Sequence, residues 1–159
     1  SNMIQGALSD ADKQAEQIAS RVNEVAASGC KTAISVASEN AGSSVVVNVK
    51  VKSANVENCR VAVWLLEDGI VAAQTGGSST EVHNNVLLTS SSTVAYGDRI
   101  QLDADGAGQN VYRLDVSGAH DLSNCRLVVF TTVPNTSGRF VVDNVVTCPL
   151  DGQTAFEYE

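Results

Sequence analysis

The 159-residue sequence predicts a mainly β chain, an antiparallel immunoglobulin-like β-sandwich preceded by one N-terminal amphipathic helix. Three observations predict it. From Cys30 onward, short apolar runs of strand length alternate with clusters of Gly, Asn, Asp and Ser at hairpin spacing. No helical pattern separates these runs, so the helical crossovers of a parallel sheet are not expected. The only 3.6-residue apolar periodicity lies before Cys30. A closed barrel would accommodate the same strand count; the sandwich is preferred.

The helical pattern comes first. Leu8, Ala11, Ala15, Ile18, Val22 and Val25 are spaced by alternating threes and fours, which draws one apolar stripe down a helix from about Asp10 to Ser28. Ser9 suits the N-cap with Asp12 three residues on, and Gly29 suits the left-handed position beyond the C-terminus. Alternating threes and fours also suit a helix pair. The helix is therefore expected to project from the sandwich, or to self-associate with a second copy, rather than to enter the core. Ser1-Asn2 reads as the remnant of a cleaved tag. The expected division is residues 1–29 as remnant and helix, the end of or linker from an upstream domain, and residues 30–159 as the sandwich.

Strands follow in order. Thr32–Ser38 is the first. Val45, Val47, Val49 and Val51 then alternate with Val46, Asn48, Lys50 and Lys52, a strand with one solvated face. In Arg60–Leu66 both faces are apolar, Val61, Val63 and Leu65 on one and Ala62, Trp64 and Leu66 on the other, so burial on both sides is expected. Ile70–Gln74, Val82–Thr89, Arg99–Leu102, Val111–Val116, Leu127–Val133, Arg139–Thr147 and Thr154–Tyr158 complete the set. Trp64 and Phe130 are expected to contribute to the core. Asn58-Cys59-Arg60 and Asn124-Cys125-Arg126 each precede a long apolar strand, which two central strands entered from polar loops would produce.

Composition bounds the function. Hydrophobic residues make up 43% and charged residues 18%, which fits a folded chain, and a net charge of −8 disfavours nucleic acid. No apolar run approaches the roughly 20 residues of a membrane-spanning helix. No Gly-rich phosphate loop, nucleophile elbow or dinucleotide fingerprint occurs, and no cofactor is implied.

Cys30, Cys59, Cys125 and Cys148 include no Cys-x-x-Cys and no paired zinc-ligand spacing. An even count in an exported domain favours disulfides. Folding the hairpins back brings Cys125 toward Cys148 and the Cys30 end toward Cys59, so these two pairs are expected, with four free thiols as the alternative. His83, Asn84 and Asn85 form a polar step whose amides and imidazole suit backbone hydrogen bonding, without an activated nucleophile for acid–base work. Asp103-Ala104-Asp105-Gly106 is a better acidic hairpin loop than a calcium loop, because the twelfth position is Leu114. Glu67-Asp68-Gly69 reads as a turn. No catalytic residue or metal site is expected.

The segments WLLEDGIVAAQ, VHNN and DNVVTCPLDGQTAFEYE, spread from about Thr32 to the C-terminus, resemble the C-terminal region of the twenty-eight-kilodalton outer-membrane-protein family of Bacteroides-type bacteria. Members often follow the His-Asn step with Leu-Arg, where this chain has Val86-Leu87-Leu88-Thr89. The resemblance implies an exported, outer-membrane-associated, periplasmic or surface-exposed protein, with this part as its non-catalytic β-domain. It would act as a binding or structural module for an unknown protein or glycan. The alternative it implies is an accessory domain that positions substrates for an upstream thioredoxin-like redox domain.

Overall fold

The computed structural model describes residues 11–53, 58–77 and 79–157. The chain divides into two compact units, residues 1–30 and 31–159. The first holds helix α1, Ala11–Ser28, and Gly29 follows it at φ +61°, a left-handed position suited to glycine. Ile18 and Val22, the centre of the apolar stripe, are 50% and 60% exposed. The expected cap at Ser9, Leu8 and the tag remnant lie outside the described residues, as do the side chains of Ala11, Asp12 and Val25.

In the second unit the strands are β1 (Thr32–Asn40), β2 (Ser44–Ser53), β3 (Arg60–Glu67), β4 (Ile70–Ala72), β5 (Glu81–His83), β6 (Val86–Ser90), β7 (Asp98–Arg99), β8 (Ala107–Asp115), β9 (Cys125–Pro134), β10 (Phe140–Cys148) and β11 (Gly152–Glu157). Every pairing among the described residues is antiparallel. One sheet has the order β11-β1-β2-β8 and the other β10-β9-β3-β6, with β7 also on β3; β4 and β5 form a separate ribbon. Alternation decides which side chains meet. Val45, Val47, Val49 and Val51 of β2 join Val61, Val63 and Leu65 of β3 and Leu127 and Val129 of β9 in one buried cluster between the sheets. The result is a sandwich, and its strand order is compatible with an immunoglobulin-like one.

β3 is enclosed on both faces as expected, but its second face is not core. Val63 pairs with Val129, so odd-numbered residues of β3 and β9 point inward, and Trp64 and Phe130 stand on the outer side. They meet edge to face there, ring centroids 4.8 Å apart. Trp64 is half-buried and Phe130 buried; neither fills the inter-sheet core.

Two expected strands are shorter or broken. Val82–Thr89 divides at Asn84-Asn85 into β5 and β6, which belong to different sheets, and Asn85 turns the chain at φ +58°. Of Arg99–Leu102 only Arg99 is strand, paired through β7. The Asn-Cys-Arg echoes do precede adjacent central strands, β3 and β9, which run antiparallel and so place the two triplets at opposite ends.

A polar seam ties the sheets together. The β10 register shifts between Val142 and Asn144, which makes Asp143 the extra residue of a bulge. Its carboxylate accepts from the Lys31 and Thr32 backbone N–H groups and from the Thr32 hydroxyl. That hydroxyl lies 2.6 Å from the Thr131 hydroxyl, and Asn144 Nδ2 donates to the Thr32 carbonyl at 2.8 Å. Thr32 and Thr131 are both fully buried, so this network removes the desolvation cost they would otherwise carry.

Candidate functional site

The polar step occupies the base of the β4–β5 ribbon. Asn84 Oδ1 accepts the Gly69 N–H at 2.9 Å, and Asp68 Oδ1 accepts the Asn85 N–H at 2.6 Å. The Arg126 guanidinium, on β9, donates to both Asp68 and the Asn85 side chain. The Asn85 N–H, with Arg126 beside it, holds the Asp68 carboxyl below the usual carboxylate range. His83 Nε2 lies 3.4 Å from the Ala72 carbonyl across the ribbon. These groups clamp backbone, with no nucleophile among them.

Glu67 is read from sequence only as part of a turn, yet its residue is 1% exposed. Its carboxylate accepts the backbone N–H groups of His120, at 3.0 Å, and Asp121, at 2.7 Å, with His120 Nδ1 at 3.3 Å. Burial by itself would raise the Glu67 pKa; the donated hydrogen bonds and the imidazole outweigh it and lower the value. A carboxylate held this way stays ionised and anchors the loop before β9. It is a poor general acid.

All four cysteines are free thiols, so the expected disulfides Cys30–Cys59 and Cys125–Cys148 are not formed. The β9–β10 hairpin does fold back as anticipated, but Cys148 sits opposite Leu127. Cys125 is then a diagonal neighbour, and such neighbours lie about 7–8 Å apart, beyond the usual disulfide Cα separation of about 4.4–6.8 Å. Cys59 is 1% exposed in the core cluster, with its thiol 3.8 Å from the Arg60 carbonyl. Burial, with Asp143 nearby, pushes its pKa up to about 12, and burial also raises that of Cys125. Neither is activated for exchange.

Asp103 uses Oδ1 to accept the N–H groups of Asp105 and Ala107, each at 2.9 Å, which closes the turn into β8. Among the described residues no group of three His, Cys, Asp or Glu side chains is placed to hold a metal ion.

Side chains without such structural employment lie on the outward face of the β11-β1-β2-β8 sheet. A cleft of about 400 Å³ is lined there by Lys50, Lys52, Gln109, Asp103 and Phe156. The Lys52 ammonium lies 4.8 Å from the centroid of the Phe156 ring. Neither lysine has an ion-pair partner among the described residues. From sequence the lysines read only as a solvated strand face; nothing local shows that β11 returns to set Phe156 beside them. On the other sheet Arg60 packs against Tyr96 and Phe140, its guanidinium 5.0 and 4.7 Å from their centroids, while Nη1 donates to the Gly97 carbonyl.

A family model described as outer membrane protein Omp28 matches residues 5–153. No curated protein matches significantly. HBP35 of Porphyromonas gingivalis is similar in structure, with a TM-score of 0.65 and 12% identity, over 76% of this chain and 41% of that one. At that identity the likeness is one of fold, and the chain spans less than half of that protein's length. A domain of the outer membrane lipoprotein Omp28 from the same organism matches at 21% identity with a TM-score of 0.49, covering 79% of this chain and 92% of that one.

Proposed function

The chain belongs to the Omp28 family of outer membrane proteins, and from this premise we propose that it serves as a non-catalytic binding module. It is accordingly exported and outer-membrane-associated. One contrast carries the proposal. Groups capable of chemistry, among them Glu67, Asp68, Cys59 and Cys125, are committed to backbone contacts or burial. Lys50 and Lys52, by contrast, stand exposed over a cleft without an ion-pair partner among the described residues. Rigid sandwiches present ligands with such outward surfaces.

Two measurements on the intact chain test this. Saccharide and peptide arrays should return ligands, while ester, peptide and glycoside hydrolysis and insulin reduction stay at blank rates. Turnover abolished by one substitution would overturn the proposal.

A further inference from the structure

The cleft over β2 has a chemistry that narrows its ligand. Lys50 and Lys52 flank the inward Val51, so they share one outward row and their Cα atoms stand about 7 Å apart along the strand. Across the sheet Lys52 is paired with Ala33 on β1 and Ala107 on β8, small residues that leave room at the floor. Gln109 is the cross-strand partner of Lys50. Phe156 walls the β11 side, and Asp103 closes one end with a carboxylate fixed by its own turn.

Two exposed ammonium groups without ion-pair partners among the described residues, in a chain of net charge −8, make this a local site for an anion. The other lining groups exclude a bare polyanion. Asp103 would repel it, and the Gln109 amide would gain only a donor contact. Hydroxyl groups satisfy both, donating to Asp103 and exchanging either kind of hydrogen bond with Gln109. The volume falls in the range of small-molecule sites, about 300–1,000 Å³. We propose that this cleft binds an acidic saccharide, its carboxylate on Lys50 and Lys52 and its hydroxyls on Gln109 and Asp103. The proposal rests on the binding-module reading and deepens it.

Titration calorimetry of the intact chain with trigalacturonate tests it, with fully methyl-esterified trigalacturonate and inorganic phosphate as comparison probes. Trigalacturonate should bind, and added salt should weaken it. The ester should bind at least about tenfold more weakly, since it keeps the hydroxyls and loses the charge. K50Q/K52Q should lose at least about tenfold in affinity with an unchanged melting temperature, because both side chains are exposed. Gln109→Ala supplies an independent weakening variant at another exposed position. Silence toward trigalacturonate, equal binding of acid and ester, or undiminished binding by the lysine variant would overturn the assignment. Phosphate binding as tightly as trigalacturonate would overturn the saccharide in favour of a simple anion site. Catalytic turnover would defeat the binding-module reading itself, whereas a catalytically silent chain that ignores trigalacturonate defeats only this inference.

Discussion

Asp143 Oδ2 accepts both the backbone N–H of Thr32, at 2.8 Å, and its hydroxyl, at 2.6 Å, so one carboxylate on β10 ties the start of β1 to the opposite sheet. Asp143→Ala would strand those donors beside the buried Thr131 hydroxyl. An unsatisfied buried donor costs about 1–3 kcal/mol. Urea unfolding should show a loss of that size, with a smaller one for Asp143→Asn, which retains an acceptor. An unchanged midpoint in the Ala variant would remove the seam from the account of stability.

Glu67 makes stability depend on acid. Its folded pKa lies below the ordinary 4.5 despite burial, so the unfolded chain binds the proton more readily than the folded one. That stability is fully present above the unfolded value and is lost as pH falls through the folded one. Melting temperature should therefore decline on acidification below about pH 4.5, and Asp68, Asp115 and Asp121, also lowered, act in the same direction. Glu67→Gln should be less stable at neutral pH and show a shallower acid slope. Identical slopes in both proteins would assign the acid sensitivity to other carboxylates.

What was legible in the sequence depended on how local its cause is. Four valines at alternate positions of β2 specify a half-buried strand wherever that strand goes. The break at Asn84-Asn85 was not legible, because apolar residues continue on both sides and only the left-handed turn at Asn85 ends the strand. Glu67 looked like turn chemistry because its partners lie 53 and 54 residues away. Trp64 and Phe130 were assigned to the core on hydrophobicity; register, which a single strand cannot reveal, put them on the outer face. The cleft depends on three strands and the turn before β8, a relation that no single stretch of sequence contains.

The thiols should behave as buried groups. With Cys59 pushed up to about 12 and Cys125 raised, little thiolate exists at either at mildly alkaline pH. Native iodoacetamide labelling should spare both, while denaturation without reductant should expose four reactive thiols. A linked peptide pair in a non-reducing map would contradict the free-thiol state.

The helix offers a separate test. Ile18 and Val22 are 50% and 60% exposed, and we propose that a second copy of α1 covers them. Ile18→Glu with Val22→Glu should leave the melting temperature nearly unchanged while shifting sedimentation toward the monomer. A strictly monomeric parent protein would refute the pairing.

Gly97 should be the least replaceable glycine of the turns, and a paired comparison shows why. Its φ is +83°, and a Cβ there would lie 2.3 Å from the Val61 carbonyl oxygen and 2.7 Å from the Ala62 nitrogen, both rigid backbone in β3. Neighbouring contacts depend on the same placement: the Gly97 carbonyl accepts from Arg60 Nη1 at 3.0 Å, and the Tyr96 carbonyl accepts from the Thr132 hydroxyl at 2.7 Å. Gly42 has nearly the same backbone, φ +80°, with nothing within 4 Å of the added carbon. Gly42→Ala should therefore cost only the left-handed conformation, about 1–2 kcal/mol. Gly97→Ala carries that cost and must also push β7 away from β3, for a total of about 3–5 kcal/mol. Equilibrium unfolding of the two variants separates the contributions. Equal losses would mean that the segment before β7 yields without strain, and that the close approach to Val61 is not a constraint on the fold.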